Sequence, residues 1–197
     1  MRAFHNDQEV KDKYLNRVKA HMAADNLIRG TGWREGKGCA VGCTLEAYEH
    51  KRYETELGIP QWLARVEDAL FEGMSEEKSR TWPHDFLSAI KPGVSDDTFT
   101  MQVKKPFLIT VVKSALASVD AKKHKKQFDA INGVITVLER NDWGSAAFKA
   151  AGGAADAAYA AAAAYAAAAR TQKYNQFADE LLKLLVSCEP NRKLEAE

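Results

Sequence analysis

The chain has no uninterrupted window of roughly 20 apolar residues, the length a helical membrane span needs. It also lacks the even, regularly spaced cysteines of a disulfide framework, and it carries no excess of either charge. The alanine-rich stretch near the carboxyl end is the one approach to a span, but Asp156 interrupts it and alanine is only weakly apolar. The opening MRAFHNDQEV sets no apolar stretch behind its arginine, so no secretory signal is expected there and the reading is of a cytoplasmic protein without membrane contact. Three cysteines, with Cys188 far from Cys39 and Cys43, suit reduced thiols in a reducing compartment. The net charge is +1, from 28 Lys and Arg against 27 Asp and Glu. Residues 1–95 carry −1 and residues 96–197 carry +2, so neither half has the charge of a polyanion mimic or of a nucleic-acid binder.

What the chain does have is alanine: seventeen in the twenty-six residues from Ser145 to Arg170. Alanine is the best helix former and loses no side-chain freedom on folding, so the stretch is expected to be an ordered helix running without a proline to Cys188. Its small side chains let neighbouring helices approach at the short end of the usual ~8–10 Å spacing. A central helix over 145–188 follows, and the same surface could receive a second copy of the chain. Tyr174, Phe177, Leu181, Leu184 and Cys188 alternate steps of three and four, the seam of a helix packed on helices.

The remaining pattern is also helical. Asn6 with Glu9 suggests a capping box opening a helix over 7–29, with Val10, Tyr14, Val18 and Met22 on one face. Thr44 is read as the cap of a short helix over 45–52, and Pro60 as the first residue of the next, where Trp62, Leu63, Val66, Leu70 and Phe71 share a face ending at Gly73. Pro83 breaks a short segment before a helix over 84–90. Ser95 caps a further one, and Pro106 marks a kink before 107–119. Residues 121–140 form the next helix, whose start Lys122-Lys123-His124-Lys125-Lys126 reads as a solvated face without the interleaved aromatics that stack on bases. The β-branched runs LITVVK and VITVL leave a strand open as an alternative. The expectation is an all-α, single-domain helical bundle over 1–189. It has a motif-bearing part at 1–95, a bundle part at 96–189 and a frayed tail at 190–197.

Five of the twelve glycines fall in the thirteen residues from Gly30 to Gly42, which makes 30–44 a loop. It is not a Walker A loop, because Gly36-Lys37 is followed by Gly38 rather than Ser or Thr, and no strand before it completes a Rossmann fingerprint. Successive glycines can turn amides toward an anion, however. Arg34, Gly36, Lys37, Gly38, Gly42 and Thr44 are therefore the candidate contacts for a small anionic, nucleotide-like ligand, with Trp33 as its cover. A tightly folded structural loop is the other reading.

Cys39 and Cys43 form a C-x3-C pair. With His50, or with His21, His5 or Glu46, they are the candidate ligands of a zinc ion. The same residues offer an enzymatic alternative, a cysteine nucleophile with His50 or His21 as its base, oriented by Glu46, Glu49 or Asp25. Buried thiols and a solvated acidic face are the plainer account of both.

The blocks HNDQEVKDKYLNRVKAHMAADNLIRGTGW, GKGCAVGCTLEAYEH, YETELGIPQWLARVEDALFEG and WPHDFLSAIKPG together resemble a family of uncharacterised bacterial and phage proteins, over roughly residues 3–95. Its marker is GKGCAVGCT, and some members also carry an alanine-rich carboxyl-terminal helix. The resemblance implies a phage or mobile-element context and no catalytic roles. The function expected from the sequence is thus a non-enzymatic binding protein that engages a host protein or a small anionic ligand through the glycine loop. A cysteine- or zinc-dependent enzyme and an oligomerisation module built on the alanine helix are the alternatives.

Overall fold

The computed structural model describes residues 1–140 and 167–190. Among them the chain is mainly helical, with one two-stranded ribbon, so the all-α expectation holds. A turn at Ala3–Asn6 is followed by α1 (Gln8–Ala23), strands β1 (Trp33–Arg34) and β2 (Lys37–Gly38), α2 (Ala40–Leu45), a π turn at Tyr53–Leu57, α3 (Gln61–Gly73), α4 (Glu76–Ser79), α5 (Trp82–Ala89) and α6 (Asp96–Phe99). A second π turn, Thr100–Lys104, leads to α7 (Lys105–Leu116), then come α8 (Lys125–Glu139) and α9 (Ala167–Ser187). The sequence reading takes 1–189 as one domain. Contacts gather the chain into two compact units, residues 1–103 with the stretch from 171 onward, and residues 104–170.

In the first unit α1 packs on α2 and α5, and α2 on α3. Tyr14 and Val18 of α1, Val41 and Leu45 of α2, Leu63 and Phe71 of α3, and Trp82 and Phe86 of α5 are all buried. Lys11 reaches from α1 to the end of α5, where its ammonium donates to the carbonyls of Ser88 (2.8 Å) and Ile90 (2.7 Å). A cation there suits the orphan carbonyls and partial negative charge of a helix C-terminus. Residues 171–187 of α9 are pinned by Asn175, which accepts from the Ser75 N–H (3.0 Å) and donates to its hydroxyl (3.2 Å), while Tyr174 covers Gly73. In the second unit Val112 of α7 meets Ile131, Val134, Ile135 and Leu138 of α8 in a separate apolar cluster.

Several boundaries differ from the sequence reading, each for a local reason. Phe4, His5 and Asn6 are left-handed (φ 50, 55 and 60), so Asn6 cannot serve as the cap, and Asp7 takes the role by accepting from the Glu9 N–H. Helix α1 ends at Ala23, short of 29, because Asp25 is also left-handed. The short helix contains Thr44 in its last turn instead of starting after it: Cys39 caps α2, and Glu46, left-handed at φ 53, ends it. Pro83 and Pro106 sit in the first turns of α5 and α7, where a missing N–H costs nothing, instead of breaking them. The Ser95 cap is present, accepting from the Thr98 N–H. Of the expected seam, Leu181 and Cys188 are buried together with Ala178 and Leu185. Residues 145–166 of the expected central alanine helix, the first half of it, lie outside the described residues.

Glu56 ties α1 to the π turn by accepting from the Tyr14 hydroxyl (2.7 Å) and from Arg52 Nε (2.5 Å). Burial opposes its ionisation, but the Tyr14 and Arg52 donors outweigh it and hold the carboxyl below its usual range. A carboxyl lowered on folding lends stability that is complete above its unfolded value of about 4.3 and is lost as pH falls through the folded value. Glu56→Gln is expected to cost about 1 kcal/mol at neutral pH. In urea titrations the difference from the parent should close below about pH 4.

Candidate functional site

The glycine loop is a hairpin. Trp33 pairs with Gly38 and Arg34 with Lys37, and the two connecting residues, Glu35 and Gly36, both have positive φ (53 and 80). Such turns match the twist of the strands they join. The hairpin folds residues 31–33 back across the first turn of α2. Cys39 N–H donates to the carbonyls of Thr31 (2.8 Å) and Gly32 (3.1 Å), and a Cβ on Gly42 would lie 1.8 Å from the Gly32 oxygen. Only glycine allows that crossing.

The amides of this segment are used inside the protein. Gly38 N–H goes to the Asn26 carbonyl, Cys39 N–H to residues 31 and 32, Gly42 N–H to Cys39 Sγ, and Cys43 N–H to the Cys39 carbonyl. Gly42 and Thr44 are buried, and the Thr44 hydroxyl donates to the Ala40 carbonyl (2.9 Å). Arg34 and Lys37 are exposed on the hairpin, with Glu35 3.5 Å from Arg34. Trp33 meets the edge of His21 at 5.4 Å, and His21 lies 3.4 Å from Glu46. The proposed contacts therefore do not converge on one cradle.

The two cysteines part company. Cys43 turns its thiol to the carbonyls of Gly38 (3.4 Å) and Asn26 (3.5 Å), a satisfied position in which burial pushes it up to about 12. Cys39 faces α3. One ligand atom each from Cys39, Asp68 and Glu72 lies within 4.8 Å of the others. Asp68 and Glu72 are four residues apart on α3 and so share a helix face. The turn after Glu46 brings Tyr48 and His50 to the same place: the Tyr48 hydroxyl donates to Asp68 Oδ2 (2.9 Å), His50 Nε2 is 3.1 Å from that oxygen, and the two rings meet edge to face at 5.1 Å. Asp68 Oδ1 is buried and has no hydrogen-bond partner. Glu72 is exposed and accepts from Gly30 N–H (2.8 Å).

Burial and the facing Asp68 carboxylate hold the Cys39 thiol well above its ordinary value, against the Gly42 N–H. Burial likewise raises Glu72, and Asp68 adds to the effect. Tyr48 is pushed up to about 12 by burial and its bond to Asp68. One turn earlier on α3, Glu67 is fully buried, accepts from the Tyr53 hydroxyl (2.6 Å), and is raised well above the carboxylate range, chiefly by burial. A cation bound by Cys39, Asp68 and Glu72 would favour the deprotonated forms of Cys39 and Glu72 against these shifts. A cysteine nucleophile needs a base on its sulfur, yet His50 is engaged by Asp68 and His21 by Glu46.

Asp68, Glu72, Tyr48, Tyr53 and Glu67 are not in the sequence reading. One signal was there: Glu67 stands four residues from both Leu63 and Phe71, an acid in the middle of the apolar stripe of α3. Comparison with protein-family models, with curated proteins and with solved structures gives no match for the chain. The phage-protein resemblance accordingly contributes no residue role below.

The Gly32–Gly42 crossing is directly testable. Gly42→Ala forces a methyl group into a backbone carbonyl and is expected to destabilise by about 1–3 kcal/mol or more. Gly36→Asn, at a turn position that tolerates positive φ, should cost less than about 1 kcal/mol. Chemical denaturation of the two variants beside the parent checks both the size and the order.

Proposed function

We propose that this protein binds a divalent transition metal, with zinc as the reference ion, through Cys39, Asp68 and Glu72. The observation that carries the reading is Asp68 Oδ1, a buried carboxylate oxygen without a partner in a cluster that also holds a thiol and a second carboxylate. Leaving such an oxygen unsatisfied costs about 1–3 kcal/mol, which a metal bond would offset. Tetrahedral ligands at 2.0–2.3 Å from zinc stand about 3.3–3.8 Å apart, so the three atoms need to close by only about 1 Å.

The donor set also speaks to the ion. A thiolate favours zinc, cobalt and similar soft or borderline ions over magnesium and calcium, which take all-oxygen shells. His50, hydrogen-bonded to the other Asp68 oxygen, would orient that ligand from behind. Of the sequence candidates, Cys39 is a ligand here, His50 a positioning group, and Cys43 neither. Binding of a host protein or an anion at the hairpin has support only from exposed Arg34 and Lys37, which Glu35 partly offsets.

The test uses protein purified without a histidine tag. One zinc per chain is expected by elemental analysis or by titration against a chromogenic chelator. Free zinc at a hundredfold excess over its Kd should stabilise the parent by about 2.7 kcal/mol, an increment reversed by a chelator. Cys39→Ser and Asp68→Asn should each weaken binding at least about 100-fold, while Cys43→Ser should change it less than about threefold. No zinc uptake by folded parent protein, or equal affinity in the Cys39 and Asp68 variants, overturns the reading.

A further inference from the structure

We propose that the metal at this site keeps one coordination position open to exchange, and that the position takes a neutral nitrogen- or oxygen-donor small molecule, so that the ion is a Lewis-acid centre and not a closed structural clamp. The inference rests on the metal reading above and goes beyond it to the kind of ligand the site receives.

Among the described residues three protein ligand atoms gather, and the other nearby candidates are committed elsewhere. His50 Nε2 is held by Asp68 Oδ2 at 3.1 Å, the Cys43 thiol by two carbonyls, and His21 by Glu46. His5 sits exposed in the left-handed turn near the amino terminus. A fourth protein ligand would require His50 to leave both Asp68 and the edge contact with Tyr48. Structural zinc sites are closed by four protein ligands, whereas catalytic ones have three and a position for water or substrate.

Access agrees with the count. Glu72 is exposed, and Gly30, whose N–H it accepts, has open space where a side chain would be. Tyr48 presents a ring that is 53% exposed while its hydroxyl reaches Asp68, a flat apolar rim beside the polar cluster. Charge selects among ligands that could arrive there. A thiolate and two carboxylates exceed a divalent ion by one negative charge, which disfavours an anion relative to a neutral donor, with Arg29 near Glu72 offsetting part of that charge. This inverts the anionic ligand expected from the glycine loop.

Full-length protein loaded with cobalt in place of zinc gives the readout. A thiolate-to-cobalt charge-transfer band in the near ultraviolet reports the Cys39 bond, and the visible bands report the remaining shell. Imidazole, a neutral donor, is expected to shift the visible bands saturably in the parent while the charge-transfer band persists. Azide, an anion of similar donor strength, should bind at least about tenfold more weakly. Visible bands in the parent that do not respond to imidazole, or azide binding as tightly as imidazole, overturn the inference while leaving the metal reading intact. Absence of the charge-transfer band in folded, cobalt-treated protein overturns the metal reading and this inference with it.

Discussion

The site depends on one contact between backbones. The carbonyl of Gly32 lies where a side chain on residue 42 would be, and Cys39 N–H closes the approach from the other side. Everything downstream is set by that crossing. It fixes the first turn of α2 against the hairpin, which makes Cys39 the cap and turns its sulfur toward α3. Seven residues later Glu46 takes a left-handed backbone, ending α2 and reversing the chain so that Tyr48 and His50 return to the same face of α3. Arg17 holds the reversal from outside by donating to the Thr44 carbonyl (3.0 Å) and approaching Glu46. A six-residue helix thus has Cys39 at its start and, at its end, the turn that returns Tyr48 and His50 to Asp68.

Two neighbouring acids on α3 show how the same helix makes groups of different character. Glu67 and Asp68 each have a buried oxygen without a hydrogen-bond partner. Glu67 is fully enclosed, burial raises it well above the carboxylate range, and the Tyr53 hydroxyl donates to its other oxygen. Asp68 accepts from Tyr48 and lies beside His50 on one oxygen, and the facing Cys39 thiol, which Asp68 helps to hold in its protonated form, is its other neighbour in the cluster. Its neighbour at i+4 is Glu72, a like charge that adds to the cost of the arrangement. A cation between Asp68 and Glu72 removes both costs together.

Much of this was legible in the sequence, but not the meeting of the pieces. Glycine density announced an irregular segment at 30–42, and the hairpin inside it follows from two positive φ angles, one of them at Glu35, which no preference rule assigns to such a turn. Thr44 looked like a cap because capping oxygens are usually hydroxyls or carboxylates. The sulfur of Cys39 took that place, which moved the helix five residues upstream. Helix α3 was legible from its apolar period, and the same period displayed Glu67 as an intruder. Asp68 and Glu72 looked like ordinary surface acids, since only the tertiary placement of Cys39, Tyr48 and His50 distinguishes them. The C-x3-C spacing joined two thiols that the fold separates, because the two sulfurs serve different neighbours.

The energetics of α3 indicate what the cluster is for. Its stripe of Leu63, Leu70 and Phe71 would pack as well or better with an apolar residue at 67, and replacing buried charged or polar groups by apolar ones is often neutral or stabilising. The fold instead keeps two buried acids there, supplies each with a tyrosine, and faces one with a thiol. Local rules are broken in natural proteins mainly where function requires it. The breaches also converge: the strained residue at 46, the glycine that admits no side chain at 42, and the orphaned oxygen at 68 all bear on the space between Cys39 and Glu72. On the proposed reading a bound cation would give the oxygen at 68 its partner, while the glycine at 42 and the left-handed residue at 46 answer to the backbone crossing and to the end of α2 that place Cys39, Tyr48 and His50 around it.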